Sequence, residues 1–284
     1  MTHVIDTYEL SPMQAGMLFH AVSGVDRGID LEQVVATLRE PLEEAHFVRA
    51  WQRVVERHPV LRSRLRWEGV AEPLQDVLDR VEIPVERFDW RALAEGERQE
   101  RFQALLGDDR TRGFDLDEAP LMRLVFVRAA EREHWVLWTF HHALLDGRSW
   151  CLLLREVFAF YEAFSRGEDA ELPRPRPYRD YIEWLRKLDP EAAKPYWQGV
   201  LSGFRAPTPL VVARDQSRQV AGTDRGSHEI RLPAALTAAL RERAREGSVT
   251  LKTLVQGAWA LLLHRYSGEP DVVFGTTRAC RRST

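Results

Sequence analysis

Residues 135–150 read WVLWTFHHALLDGRSW, and the fold turns on how that stretch is divided. Its first half, WVLWTF, is apolar on both faces. That predicts a strand inside a sheet covered on both sides rather than a strand with one wet face. The second half opens RSWCLLLREVFAFYEAFSRG, whose apolar residues recur at helical spacing and which stops at Gly167, a natural C-cap. Between strand and helix lie His141, His142, Asp146 and Gly147. Consecutive strand residues point to opposite faces, so one histidine of the pair faces a given cavity and the other packs behind it. Gly147 has no side chain, which allows another group to approach closely. Ser149 is placed to cap the helix. An isolated histidine at a strand end is more often a packed core residue. Two histidines with an aspartate four residues after the second read as a base on a strand end, backed by a structured turn.

Working outward, LMRLVFVRA precedes this strand and AEREH joins the two as a hairpin. Further upstream, VEIPVERFDW holds a short strand, and a charged helix runs from about Arg91 to Leu106. PLEEAHFVRAWQRVVERHP places Phe47, Val48, Trp51, Val54 and Val55 at helical spacing, with Pro59 as the stop. VLRSRLRW then alternates, with Leu61, Ser63, Leu65 and Trp67 on one face and Arg62, Arg64 and Arg66 on the other. The triple arginine reads equally well as a solvated face. Near the N-terminus, QVVATLRE is a strand candidate. ELSPMQAGMLFHA starts a helix at Pro12, with Ser11 and Gln14 at capping-box spacing.

Downstream the composition shifts. EDAELPRPRPYRDY is proline-rich and charged, a stiff exposed linker, and marks a boundary near 168–178. The chain is accordingly divided into an N-terminal lobe, 1–170, and a second lobe, 171–284. In the second lobe YRDYIEWLRKL, AAKPYWQGVL, AALTAALRERAREG and TLKTLVQGAWALLLHRYSG read as helices. GSHEIRLP and DVVFGTT read as strands. Because the sequence stops soon after DVVFGTT, the second lobe is expected to be partial.

Composition removes several classes of function. With 40 basic and 43 acidic residues well mixed, the net charge of -3 offers no basic face for nucleic acid. No apolar run reaches the length of a membrane helix, and MTHVIDTYEL is not a signal peptide. A cytoplasmic protein is expected. The two cysteines, Cys151 and Cys280, are far apart and fit a reducing compartment. Cys151 follows a helix start in an apolar run and is expected to be a buried small hydrophobe. No Cys/His spacing for a metal and no glycine-rich phosphate loop is present, so no bound metal or nucleotide is implied.

HHALLDG resembles the HHxxxDG motif of chloramphenicol-acetyltransferase-like acyltransferases, and the chain more narrowly resembles the condensation domains of nonribosomal peptide synthetases. LSPMQAGMLFH is similar to their N-terminal signature and RHPVLRSRL to their RHxxLR segment. FDLDEAPLMRLVFVR, YRDYIEWL, PYWQGVLSG and YSGEPDVVFGTT also have counterparts. These run in the family's order from about Tyr8 to Arg281. Arg281 keeps the expected arginine, whereas Arg278 and Cys280 stand where smaller or less polar residues are usual.

The resemblance implies an α/β, two-lobed chloramphenicol-acetyltransferase-like fold, with the N-terminal lobe complete and the C-terminal lobe partial. It implies amide formation between a donor acyl thioester and an acceptor amine, each on the phosphopantetheine arm of a carrier protein. Donor and acceptor peptidyl carrier proteins and adjacent synthetase domains would be the partners, with no cofactor bound by the domain itself. The resemblance assigns the catalytic motif to His141, His142, Asp146 and Gly147. It also implies an ion pair between Arg62 and Asp146 that holds the loop carrying His142. Trp135, Trp138 and Trp150 are read as packing, and Tyr181, Trp184, Tyr196 and Trp197 as aromatic cement at the lobe boundary. Other readings stay open: an epimerisation domain, an HHxxxDG acyltransferase using coenzyme A or a lipid, or a truncated non-catalytic module that docks carrier proteins. SPMQAGMLFH hints at the subtype that takes a D-configured donor.

Overall fold

In the computed structural model, residues 2–24, 28–209 and 229–277 are described. The chain divides into two units, Met1–Leu188 and Asp189–Thr284.

The first unit begins with β1 (Val4–Glu9), α1 (Pro12–Ser23), β2 (Leu31–Leu38) and α2 (Glu44–Arg57). A 3-10 turn at Pro59–Arg62 leads into β3 (Ser63–Arg66), β4 (Leu74–Leu78), β5 (Val85–Asp89) and α3 (Glu95–Arg112). Then come β6 (Met122–Ala130), β7 (Glu133–His141), α4 (Ser149–Ser165) and α5 (Tyr178–Leu185). Two sheets result, ordered β1-β4-β3 and β2-β7-β6-β5. In the second, β7 pairs antiparallel with both β2 and β6, while β5 joins β6 in parallel.

The double-faced strand of the opening stretch is β7, interior to its sheet and buried along most of its length. Its alternation sorts the core. Val136, Trp138 and Phe140 join Phe47, Trp51, Val157 and Phe160, from the α2 and α4 side. Trp135 and Leu137 join Phe102 of α3 on the opposite side. The rings of Trp51 and Trp138 lie 4.6 Å apart. On α4 the buried stripe is Leu153, Val157, Phe160 and Phe164, at i, i+4, i+7 and i+11. Cys151 lies off that stripe and is exposed, which corrects the expectation of a buried thiol.

The boundary expected at 170/171 falls instead at Leu188/Asp189. The proline-rich stretch and α5 stay with the first unit because α5 is tied to it. Ile182 is buried, the Tyr178 hydroxyl lies 3.2 Å from Ser11 Oγ, and Arg179 pairs with Asp6. Tyr181 and Trp184 of α5 stack with ring centroids 5.8 Å apart.

The second unit holds α6 (Pro190–Val200), α7 (Ala234–Glu246) and α8 (Leu251–Ser267), the last capped by Thr250. Tyr196 and Trp197 of α6 are 65% and 55% exposed, so within this unit they are not packing residues. Neither expected strand of this unit forms among the described residues. Gly226, Ser227 and His228, where the first of these runs begins, lie outside the described residues, and residues 229–233 lead into α7 without strand structure. Residues 271–277 bond to side chains instead of to a neighbouring strand: the Val273 N–H donates to Thr208 Oγ1 at 2.9 Å, and Gln256 Nε2 donates to Thr276 Oγ1 at 2.6 Å. An apolar run becomes a strand only when a partner satisfies its main chain. Arg278, Cys280 and Arg281 lie outside the described residues.

Candidate active site

β7 delivers the histidines to the edge of the core, and three neighbours fix the turn that follows. The His141 N–H donates to the Leu121 carbonyl at 3.0 Å and the His142 N–H to the Asp30 carbonyl at 2.7 Å. From α1, Gln14 Nε2 donates to the Ala143 carbonyl at 3.0 Å.

The two rings are held in opposite tautomers. His142 Nδ1 lies 2.6 Å from the Leu145 carbonyl oxygen. A carbonyl only accepts, so Nδ1 carries the proton and the Nε2 lone pair is left available. His141 Nδ1 instead accepts the Ala143 N–H at 3.2 Å, so its proton sits on Nε2. His141 is buried, whereas His142 is half-buried. By the period of the strand, His141 shares a face with Trp135, Leu137 and Thr139. There it also lines a cavity of about 510 Å³, with Asp30, Trp67, Arg112, Phe114 and Asp115 among its walls.

Burial pushes the His141 imidazolium down to about 4. Asp30 works against that shift and His142 adds to it. The unfolded chain therefore takes up this proton near pH 6.5, well before the folded one does. Stability from this group is complete above about pH 6.5 and is lost as the pH falls towards 4, a total of about 3 kcal/mol. Urea midpoints at pH 7.5 and pH 5 should show the loss, and His141→Gln should flatten it. Equal slopes for both proteins across that interval would rule His141 out as the source.

Asp146 acts on the helix that follows. Its Oδ1 accepts the Arg148 N–H at 3.2 Å, the Ser149 N–H at 2.8 Å and the Ser149 hydroxyl at 2.6 Å. The capping role expected of Ser149 thus belongs to Asp146, and Ser149 is the first residue of α4. Gly147 is exposed with an ordinary backbone, and a Cβ there would meet nothing within 4 Å. No group of the described chain uses the room it leaves.

Arg62 does not pair with Asp146. The 3-10 turn at Pro59–Arg62 breaks the alternation expected of VLRSRLRW and turns Arg62 inward, to 7% exposure. Its guanidinium donates to the carbonyls of Val55 at 3.3 Å and Asp79 at 2.8 Å, and also to that of Leu78. Burial lowers its pKa, with Asp79 and Glu56 opposing. Arg62 therefore ties the last turn of α2 to the end of β4, satisfying carbonyls that the helix leaves open. Of the three arginines, Arg66 is the one in a bidentate pair, with Asp76 at 2.8 and 3.0 Å. Arg62→Ala should cost about 2–3 kcal/mol, from charged hydrogen bonds lost to buried carbonyls. With no contact shared among the described residues, its loss and that of Asp146→Ala should add to within about 0.5 kcal/mol. A clear departure from additivity in chemical denaturation would restore the coupling between them.

A buried polar cluster behind the turn escapes sequence reasoning. Gln14 and Gln75, 3% and 0% exposed, bond side chain to side chain at 2.7 Å. Gln75 Nε2 goes on to Tyr8 Oη at 3.1 Å and Ser63 Oγ at 2.7 Å. The capping-box spacing announces Gln14, but only as a helix start. Glutamine in the short strand LQDVL carries no signal of its own.

Among the described residues no group of three or more His, Cys, Asp or Glu side chains could hold a metal ion. No helix of those residues is long and apolar enough to cross a membrane.

A family model described as Condensation domain matches residues 4–284. Two linear gramicidin synthase proteins of Brevibacillus parabrevis are similar to this chain. One is 42% identical over 276 residues, covering 97% of it, and the other is 38% identical over 288 residues, covering 100%. The chain spans only 5% and 4% of the length of those two proteins. Among solved structures, a four-domain nonribosomal peptide synthetase bound to AMP and glycine superposes with a TM-score of 0.74 at 20% identity. The match covers 95% of this chain and 20% of that one. The cyclization-docking bidomain of EpoB from Sorangium cellulosum gives 0.72 at 23% identity, covering 93% and 53%. The X-domain in complex with OxyB from teicoplanin biosynthesis gives 0.73 at 26%, covering 92% and 57%. The α/β architecture is the chloramphenicol-acetyltransferase-like one expected from the sequence, and the chain belongs to the condensation-domain family.

Proposed function

We propose that this chain forms amide bonds in nonribosomal peptide synthesis, joining a carrier-bound acyl or aminoacyl thioester to an acceptor amine at His142. The observation that carries the proposal is the tautomer of His142. With Nδ1–H spent on Leu145, the half-exposed ring offers Nε2 as an acceptor at the end of a rigid strand. Condensation domains are acyltransferase-type enzymes that form amide bonds, and they work inside multi-domain synthetases with carrier domains.

The chemistry asks little of a base. The amine nitrogen attacks the thioester carbonyl carbon, the C–S bond breaks, and the phosphopantetheine thiol leaves with a proton. An α-amino group has a pKa of about 7.7–8.0, so at pH 7 roughly a tenth is already neutral and deprotonation costs about 1–1.5 kcal/mol. Fixing the two reactants is worth about 7–11 kcal/mol. His142 Nε2 then accepts a hydrogen bond from the attacking amine, orients its lone pair and receives its proton. The phosphopantetheine arms belong to donor and acceptor carrier proteins, and the working compartment is the cytoplasm.

The test supplies the chain, in its synthetase context, with one carrier bearing a panel of L- and D-aminoacyl thioesters and a second bearing the acceptor. Amide product on the acceptor carrier, seen by mass spectrometry, is expected. Inversion of the donor's α-carbon with the acceptor omitted would make it an epimerase instead. Carrier binding without product would make it a docking module.

A further inference from the structure

We propose that Gln14 is a positioning residue for the reaction, setting the turn that carries His142 through the Ala143 carbonyl. This rests on the assignment of His142 as the reacting group.

Every hydrogen-bonding site of the Gln14 amide is occupied. Nε2 donates to the Ala143 carbonyl at 3.0 Å and to Gln75 Oε1 at 2.7 Å. Oε1 accepts the Ser11 N–H at 2.9 Å and the Tyr178 hydroxyl at 3.3 Å. Glutamine loses rotamer freedom when buried, and four partners leave this one a single orientation at 3% exposure. The amide is thus a fixed donor aimed at the residue after His142.

The turn needs such a donor. The Ala143 N–H closes back on His141 Nδ1, and the Leu144 N–H on the His141 carbonyl at 3.0 Å. The Leu145 carbonyl, which fixes the His142 tautomer, comes only two residues after Ala143. Moving the Ala143 peptide therefore moves the acceptor that holds His142 Nδ1–H. A displacement near 1 Å at a reacting group costs about a hundredfold in rate.

Gln14→Glu isolates this contact. Glutamate keeps the acceptor for Ser11 and Tyr178, so the cap of α1 survives. The Gln75 amide can turn over to donate to the new carboxylate, its Oε1 then taking the Tyr8 hydroxyl, while the Ser63 hydroxyl stays on the Val60 carbonyl at 2.6 Å. The Ala143 carbonyl has no such freedom and loses its donor when the glutamate is ionised, and readings at neutral and alkaline pH separate that state from a buried protonated acid that still donates. The double substitution Gln14→Met with Gln75→Leu removes both amides together and serves if the single variant is insoluble.

Two readouts decide. Nitrogen-15 histidine spectra of the full chain, with His142 assigned by difference from His142→Ala, should show the Nδ1-protonated tautomer in the parent. In Gln14→Glu a mixture or the other tautomer is expected. With the loaded carriers described above, kcat should fall about a hundredfold while KM stays within about threefold. In a His142→Ala background, Gln14→Glu should have no further effect on kcat. An unchanged tautomer with kcat within twofold of the parent would overturn the proposal. So would an equal loss in the His142→Ala background, which marks a role in general stability. If the parent forms no amide, the functional assignment fails, and the tautomer comparison alone supports or overturns the positioning role.

Discussion

His142→Ala is expected to fold like the parent and to lose amide formation by about 10²- to 10⁴-fold, the usual contribution of a placed acid or base. The side chain is half-buried and the tether from its N–H to Asp30 is main chain, so the turn keeps its anchors. The neighbouring variant should behave oppositely. His141 is 6% exposed and its Nδ1 takes the Ala143 N–H, so His141→Ala should lower the melting temperature and the yield of soluble protein. Loaded carriers with mass spectrometry measure the first effect, and thermal melts the second. Full turnover by His142→Ala would remove that ring from the mechanism.

The largest loss of stability is expected at Asp109, near the end of α3. Its carboxylate is 2% exposed and takes Arg123 Nε at 2.5 Å, Thr139 Oγ1 at 2.6 Å and Gln33 Nε2 at 3.0 Å. Arg123 also reaches the Asp109 and Gly113 carbonyls, both at 2.6 Å, and lies over the Phe114 ring at 4.3 Å. Burial raises the pKa of the acid, but Arg123 and Thr139 outweigh it, and the carboxyl ends below its usual range. Asp109→Ala strands a buried guanidinium and should cost about 3–5 kcal/mol, a large share of a typical domain's stability. Replacing both partners with leucine and methionine should recover most of that loss. Urea unfolding measures each protein, and a cost below about 1 kcal/mol for Asp109→Ala would show that water or a neighbour rescues Arg123.

Much of this fold is legible in the sequence because its main elements are periodic and locally consistent. The hairpin of β6 and β7, the stripes of α2 and α4, and the cap of α1 all follow from spacing. The candidate site is legible to the extent that it sits on β7 and follows the family's motif. The rest depends on geometry that spacing does not encode. Spacing misplaces Arg62 because four residues of 3-10 turn shift the phase of an alternating run. Asp109 looks like one more solvated acid in LLGDDRTRGF, although Arg123 inside an apolar strand is a visible sign that some acid must meet it. Gln14 and Gln75 lie 61 residues apart, and nothing local to either tells that they touch. Runs such as 271–277 carry strand composition, yet composition cannot supply the partner that makes a strand.

The place of β2 at one end of the β2-β7-β6-β5 order has a consequence for synthesis. β2 bonds to β7, which follows roughly a hundred residues later in the chain. At a translation rate of about 5–20 residues per second, β2 leaves the ribosome about 5–20 s before its partner exists. Until then its main chain is open to wrong pairing. The His142 turn cannot be assembled earlier, because the Asp30 carbonyl that receives its N–H sits at the entry to that waiting strand. Slow codons or a pause between β2 and β7 would lengthen the vulnerable interval. The yield of active protein should therefore depend on the speed of this one segment of the message far more than on the segments coding for α4 or α5.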